Sequence, residues 1–156
     1  VTERRQTTLS EIEGDPPCCD LATLEGLAEC VYAARRDDSA QGIAAGQGVE
    51  VDIDHGFPPG YDGIAVLDLL LLIVRPSRDG ATLALRILHE LAHVILQRLG
   101  WRHSHGDVWL LALAMAAPSS MIRAHRPHDA LALAGLARLP AWAAAARLVM
   151  RESAAA

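Results

Sequence analysis

Residues 85–99 read LRILHELAHVILQRL, and at their centre stands His89-Glu90-Leu91-Ala92-His93. On an α-helix, positions i and i+4 project from one face, one turn apart. The spacing therefore lets His89 and His93 point an imidazole nitrogen at one ion. Glu90 sits roughly 100° around the helix from His89, close enough to reach a water on that ion without displacing it. This is the H-E-x-x-H arrangement: two neutral imidazoles as metal ligands and a carboxylate to take a proton from the activated water. Leu88, Leu91, Ala92, Val94 and Ile95 are interleaved with these residues. A helix apolar on most sides is a buried one, and polar groups buried in it are costly without partners. The reading predicts that this helix is central, with Leu88 and Ile95 in the core, and that His89 and His93 hold a metal.

Working outward, Pro76 closes the preceding segment and Ser77 or Asp79 opens the helix, which stops at Gly100. Upstream, Val49–Ile53 alternates apolar and polar residues as a half-buried strand does, and residues 55–63, dense in Pro and Gly, form a loop. Residues 64–74 read as two strands joined by a tight turn near Asp68. Asp20 is positioned to cap a helix running to about Arg36, and a short helix follows over residues 40–45. Downstream, WRHSHG links to a helix from about His105 to Ala117, ended by Pro118. Ser104 and Asp107 there have the spacing of a capping box, although Asp is a weaker partner than Glu. Residues 119–151 are helical in pattern, broken near Pro127 and Pro140. The expected fold is α+β, a small sheet of about three strands, antiparallel or mixed, packed on a helical bundle. Residues 1–19 form an irregular lead-in and residues 20–151 a single domain.

Composition narrows the function. Apolar residues make up 51% of the 156 but aromatics only 4%, so the core is built from Leu, Ala, Val and Ile in closely approaching helices. A net charge of −5 without a basic run argues against direct nucleic-acid binding, and with it against a transcription factor. The longest apolar run, residues 64–74, is interrupted by Asp68 and too short to span a bilayer. The N-terminal residues lack the apolar core of a secretory signal. Cys18, Cys19 and Cys30 form neither a zinc-ribbon spacing nor an even disulfide framework. They are read as reduced, and the protein as cytoplasmic and without a membrane partner.

The order of features is more specific than the five-residue motif. A strand–loop–strand unit carrying Tyr61-Asp62-Gly63 leads into residues 85–96, then VWLLALAMAAP (108–118), then LAGLARLPAWAAAARL (133–148). This order resembles the ImmA/IrrE family of metallopeptidases of bacteria and their phages and mobile elements, over about residues 20–148. In that family a helix reading approximately E-x-x-A-N-x-F-A-x-x-L-L-M-P follows the zinc helix. With Pro118 on its final proline, Leu111-Ala112 fall on F-A and Val108-Trp109 on A-N.

The resemblance implies a zincin-like minimal domain and one Zn2+ held by His89 and His93, with Glu90 catalytic. It also implies an endopeptidase whose protein substrate is a helix-turn-helix transcriptional repressor. The family's metal-binding glutamate is replaced by His105, which is taken as the third ligand by position; Asp107 is the runner-up, since zinc also accepts carboxylates. With Trp109 in place of the family's asparagine, a supporting hydrogen bond from that position is expected to be lost.

Other residues are weighed against plainer roles. Tyr61 has the hydroxyl to stabilise an oxyanion but is read first as packing over a turn. His55 and His103 are read as exposed loop residues, His125 and His128 as helix-end residues, and Trp101, Trp109 and Trp142 as core or interface. The alternative function is a zinc-stabilised, non-catalytic module that sequesters a regulator. A closed four-ligand shell would mark that case, three protein ligands and a water the enzyme.

Overall fold

The computed structural model describes residues 23–155. The expected lead-in, the Asp20 cap, Cys18 and Cys19 lie outside the described residues. Helix α1 is Leu24–Ala33, α2 Ala40–Gly46, α3 Gly80–Arg98, α4 His105–Ala116, α5 Ser119–His125, α6 Ala130–Ala137 and α7 Ala141–Ala155. Strands β1 (Glu50–Ile53), β2 (Gly63–Val66) and β3 (Leu71–Val74) form one sheet in the order β1-β3-β2. The fold is α+β, as expected. The sheet is mixed: β3 runs parallel to β1 (Glu50 opposite Leu71) and antiparallel to β2 (Gly63 opposite Val74).

Helix α3 is the centre of the molecule. It packs on α4, α2, β2 and β3, and Leu88 and Ile95 are 3% and 0% exposed. Its ends are closed by side-chain and backbone chemistry. Asp79, of the two expected openers, caps the start by accepting from the amides of Ala81 and Thr82 at 3.2 and 3.0 Å. At the other end the Gly100 and Trp101 amides reach back to the carbonyls of Gln97 and Leu96, both at 3.0 Å. That paired return needs a left-handed residue after the cap, and Gly100 (φ +67°) adopts it without a Cβ clash. Helix α4 lies against α3, α1 and α7; its buried Ala112, Ala114 and Ala116 permit the close approach that the shortage of aromatics requires.

Three details depart from expectation. Helix α1 is capped by Thr23, whose hydroxyl accepts from the Gly26 amide at 3.0 Å, so the helix begins later than an Asp20 cap implied and ends at Ala33, short of Arg36. The turn near Asp68 is a 3-10 turn, Leu67–Leu69, followed by Leu70 in the left-handed region (φ 51°). A residue with a Cβ adopts that conformation at a cost, and with Leu rather than Gly or Asn there nothing in the sequence marked the geometry. Finally, Cys30 is disulfide-bonded, so the reading of all three cysteines as reduced does not hold for it. No single helix among the described residues is long and apolar enough to cross a membrane.

Candidate metal centre

The i, i+4 spacing on α3 and the start of α4 bring three imidazoles together. The ring centroids of His89 and His93 are 5.1 Å apart, His89 and His105 4.9 Å, and His93 and His105 6.0 Å. One nitrogen from each ring lies within 4.8 Å of the others. Zinc bonds of about 2.0–2.1 Å in a tetrahedron set donors roughly 3.4 Å apart, so modest side-chain movement closes this set on one ion. The cluster is graded from the core outward: His89 is buried, His93 half-buried and His105 exposed. It lines a cleft of about 480 Å³ whose other walls include Tyr61, Gly63, Ala65, Glu90 and Trp109.

The electrostatics suit a cation. Burial, then the neighbouring His93 and His105, pushes the His89 pKa down to about 4. Burial, then His105 and His103, likewise lowers that of His93. Both rings are therefore held neutral, the form that ligates metal. His89 Nδ1 is buried with no hydrogen-bond partner among the described residues. An unsatisfied buried nitrogen costs about 1–3 kcal/mol, so this ring is held in the cluster at a cost. Glu90 is 9% exposed, and burial, then the Asp62 charge, raises its pKa to about 7. A group poised there takes up and gives back protons readily near neutrality.

Glu90 owes its place to Gly63 on the neighbouring strand. A Cβ at Gly63 would lie 2.8 Å from Glu90 Cγ, closer than packed carbons approach. One turn before Glu90, Arg86 bonds Asp62 at 3.1 Å and donates to the carbonyls of Arg75 and Pro76 at 3.2 and 3.0 Å. Asp62 also pairs with Arg75 at 2.8 Å, so the loop after β1 is pinned where it enters β2. The edge strand is open on the cleft side. The Arg75 amide donates to the Asp62 carbonyl at 2.9 Å; given the register, the groups of Ile64 and Val66 also turn toward β3, and those of Gly63 and Ala65 turn outward.

Of the residues singled out from sequence, His89, Glu90, His93 and His105 meet in the cleft. Asp107 does not join the three-histidine cluster. Its carboxylate accepts from the Ser104 amide at 2.7 Å and hydroxyl at 2.9 Å, while the Ser104 hydroxyl accepts from the Asp107 amide at 3.2 Å. The capping box is complete, with Asp in the weaker role. Tyr61 is 69% exposed at the rim. His55, His125 and His128 are exposed. Trp101 and Trp109 pack against the core, whereas Trp142 is 59% exposed, so of the core and interface roles expected for it only the second remains open.

Trp109 does bond a candidate ligand, though not in the supporting way the family's asparagine would: its indole Nε1 donates to the His105 Nε2 lone pair at 3.1 Å. The ring lies 4.3 Å from that of His89. Sequence reasoning missed this contact, the Arg86–Asp62 pair and the glycine beneath Glu90. The first had a signal, because Trp109 follows His105 by the same four residues that separate His89 from His93. Comparison of the chain with protein-family models, curated proteins and solved structures found no match.

Proposed function

We propose that this chain is a zinc-dependent endopeptidase of the ImmA/IrrE kind, acting on a protein substrate. The observation that carries the reading is the three-histidine cluster with Glu90 beside it in a cleft bordered by an open strand edge. Three protein donors leave a coordination position for water, as catalytic zinc sites do. A bound zinc supplies Lewis acidity to that water and to the scissile carbonyl. Glu90 takes the proton from the attacking water and delivers it to the departing amine. The substrate lies extended against β2, its backbone bonding the outward groups of Gly63 and Ala65. Tyr61, at the rim, is the candidate donor to the oxyanion if its loop closes inward. The substrate best matched to the reading is a helix-turn-helix repressor of a phage or mobile element.

One observation favours the second reading, a zinc-stabilised module that sequesters a regulator without cutting it. His103 lies 6.2 Å from His93, ring to ring, and its Nδ1 meets the Trp101 carbonyl at 2.8 Å. That bond leaves the Nε2 lone pair of a neutral ring available as a fourth donor, which would close the shell. The test combines metal analysis with cleavage of helix-turn-helix repressors, beginning with any encoded beside this gene. The peptidase reading expects about one zinc per chain, and cleavage that Glu90→Gln reduces by ~10²–10⁴-fold while zinc is kept. His89→Ala loses metal and stability together. Cleavage by Glu90→Gln at the parent rate overturns the peptidase, and tight repressor binding without cleavage by the parent protein selects sequestration.

A further inference from the structure

We propose that Trp109 is a gate on the metal centre, its indole N–H occupying the His105 lone pair that a metal ion needs. A neutral imidazole has one N–H and one lone pair. In the structure Trp109 Nε1 donates to His105 Nε2 at 3.1 Å, so that lone pair is at Nε2 and is already engaged. An ion can take it in two ways. It binds at Nε2 and displaces the indole directly, or it binds at Nδ1, which moves the ring proton to Nε2 and leaves the indole nothing to donate to. Short of an imidazolate, the hydrogen bond and the metal bond exclude each other at His105, whichever nitrogen faces the ion.

The surroundings suit a gate. His105 is the exposed first residue of α4 where His89 is buried, so it is the ligand most able to turn. Trp109 is half-buried, its ring 4.3 Å from His89 and 6.0 Å from Trp142, so the indole stays in place when its donor is released. Its N–H then faces a cleft that admits water. The inference rests on the metal reading of the three histidines and gives its third ligand a cost of recruitment.

The experiment uses the full chain freed of metal by chelator and titrated with Zn2+ alone against a competing chromophoric chelator. Trp109→Phe keeps an aromatic ring and removes the donor. A hydrogen bond of ordinary net strength makes the variant bind Zn2+ about 2- to 10-fold more tightly than the parent protein. In the parent, the Trp109 indole proton should move upfield in the NMR spectrum and exchange faster with solvent on loading with Zn2+, a readout that does not depend on the variant's folding. Equal or weaker zinc binding by a folded Trp109→Phe, or an indole proton unmoved in the zinc-loaded parent, overturns the gate and leaves the metal reading standing. Failure of both parent and variant to bind Zn2+ overturns the metal reading and the gate with it.

Discussion

Glu90 and His89 adjoin in sequence and are shifted in opposite directions, so their effects on stability are separable only by removing one of them. In the folded protein Glu90 keeps its proton up to about pH 7, whereas the ordinary carboxyl value is 4.5. Between those values the native state holds a proton the unfolded chain has released, so this group's stability term is intact below pH 4.5 and lost as pH rises through 7. His89, depressed from 6.5 to about 4, does the reverse: its term is intact above 6.5 and lost as pH falls through 4. In the total the two largely cancel. In the difference between Glu90→Gln and the parent, the His89 term drops out and the Glu90 term remains. The metal-free variant should therefore match the parent near pH 4.5 and exceed it by about 3 kcal/mol at pH 8. Urea unfolding in chelator at several pH values checks this, and a difference that stays flat with pH would place Glu90 in contact with water.

Among elements, legibility followed locality. His89, Glu90 and His93 could be read together because one helix fixes their relation through a spacing of four. Asp79 and the Ser104–Asp107 box were readable for the same reason, since a cap bonds within its own first turn. Gly63 under Glu90 and the indole on His105 were not, because each depends on how one element docks against another. The parallel pairing of β1 with β3 was likewise hidden; strand alternation reports which face is buried and says nothing of neighbour order. The role of Asp107 belongs to this scale. Its carboxylate is engaged in closing α4, and His105 is the first residue of the turn it closes. His105→Ala should weaken zinc binding by 100-fold or more on the order of a lost ligand, and Asp107→Ala by about 10-fold or less through a loosened turn. Asp107→Ala should also lower stability measurably, with or without metal, because the capping box loses one of its two arms. Chelator competition and urea unfolding on both variants separate the two, and the opposite ranking would make Asp107 the ligand.

At the scale of the whole molecule, the ends of the described chain are tied together by a charge that has no exposure at all. Arg147, on α7, is 0% exposed. Its Nε donates to the Ala117 carbonyl at 2.8 Å, and its Nη2 donates to Glu25 of α1 at 2.8 Å. Glu25 also accepts from the Ser119 hydroxyl at 3.0 Å, so α1, α7 and the start of α5 meet at one carboxylate. Beside it Glu29 takes the Ser120 amide and hydroxyl at 2.7 and 2.6 Å, fixing the opening turn of α5. The pair is unequal, because the Glu25 side chain is 33% exposed and Arg147 is sealed. Without Arg147, the carboxylate turns to water. Without Glu25, the guanidinium keeps one carbonyl and a hydroxyl, and its charge stays buried. Removing one partner of a buried pair costs about 3–5 kcal/mol when the other is stranded. Glu25→Gln should approach that cost, and Arg147→Met, which keeps most of the volume, should fall clearly below it. Neither residue touches the three histidines, so zinc affinity of the folded variants should stay within about 2-fold of the parent. Paired urea unfolding curves in chelator decide the order. Arg147→Met as the costlier change would mean that the guanidinium's packing among α1, α5 and α7, rather than its stranded charge, holds this end of the molecule together.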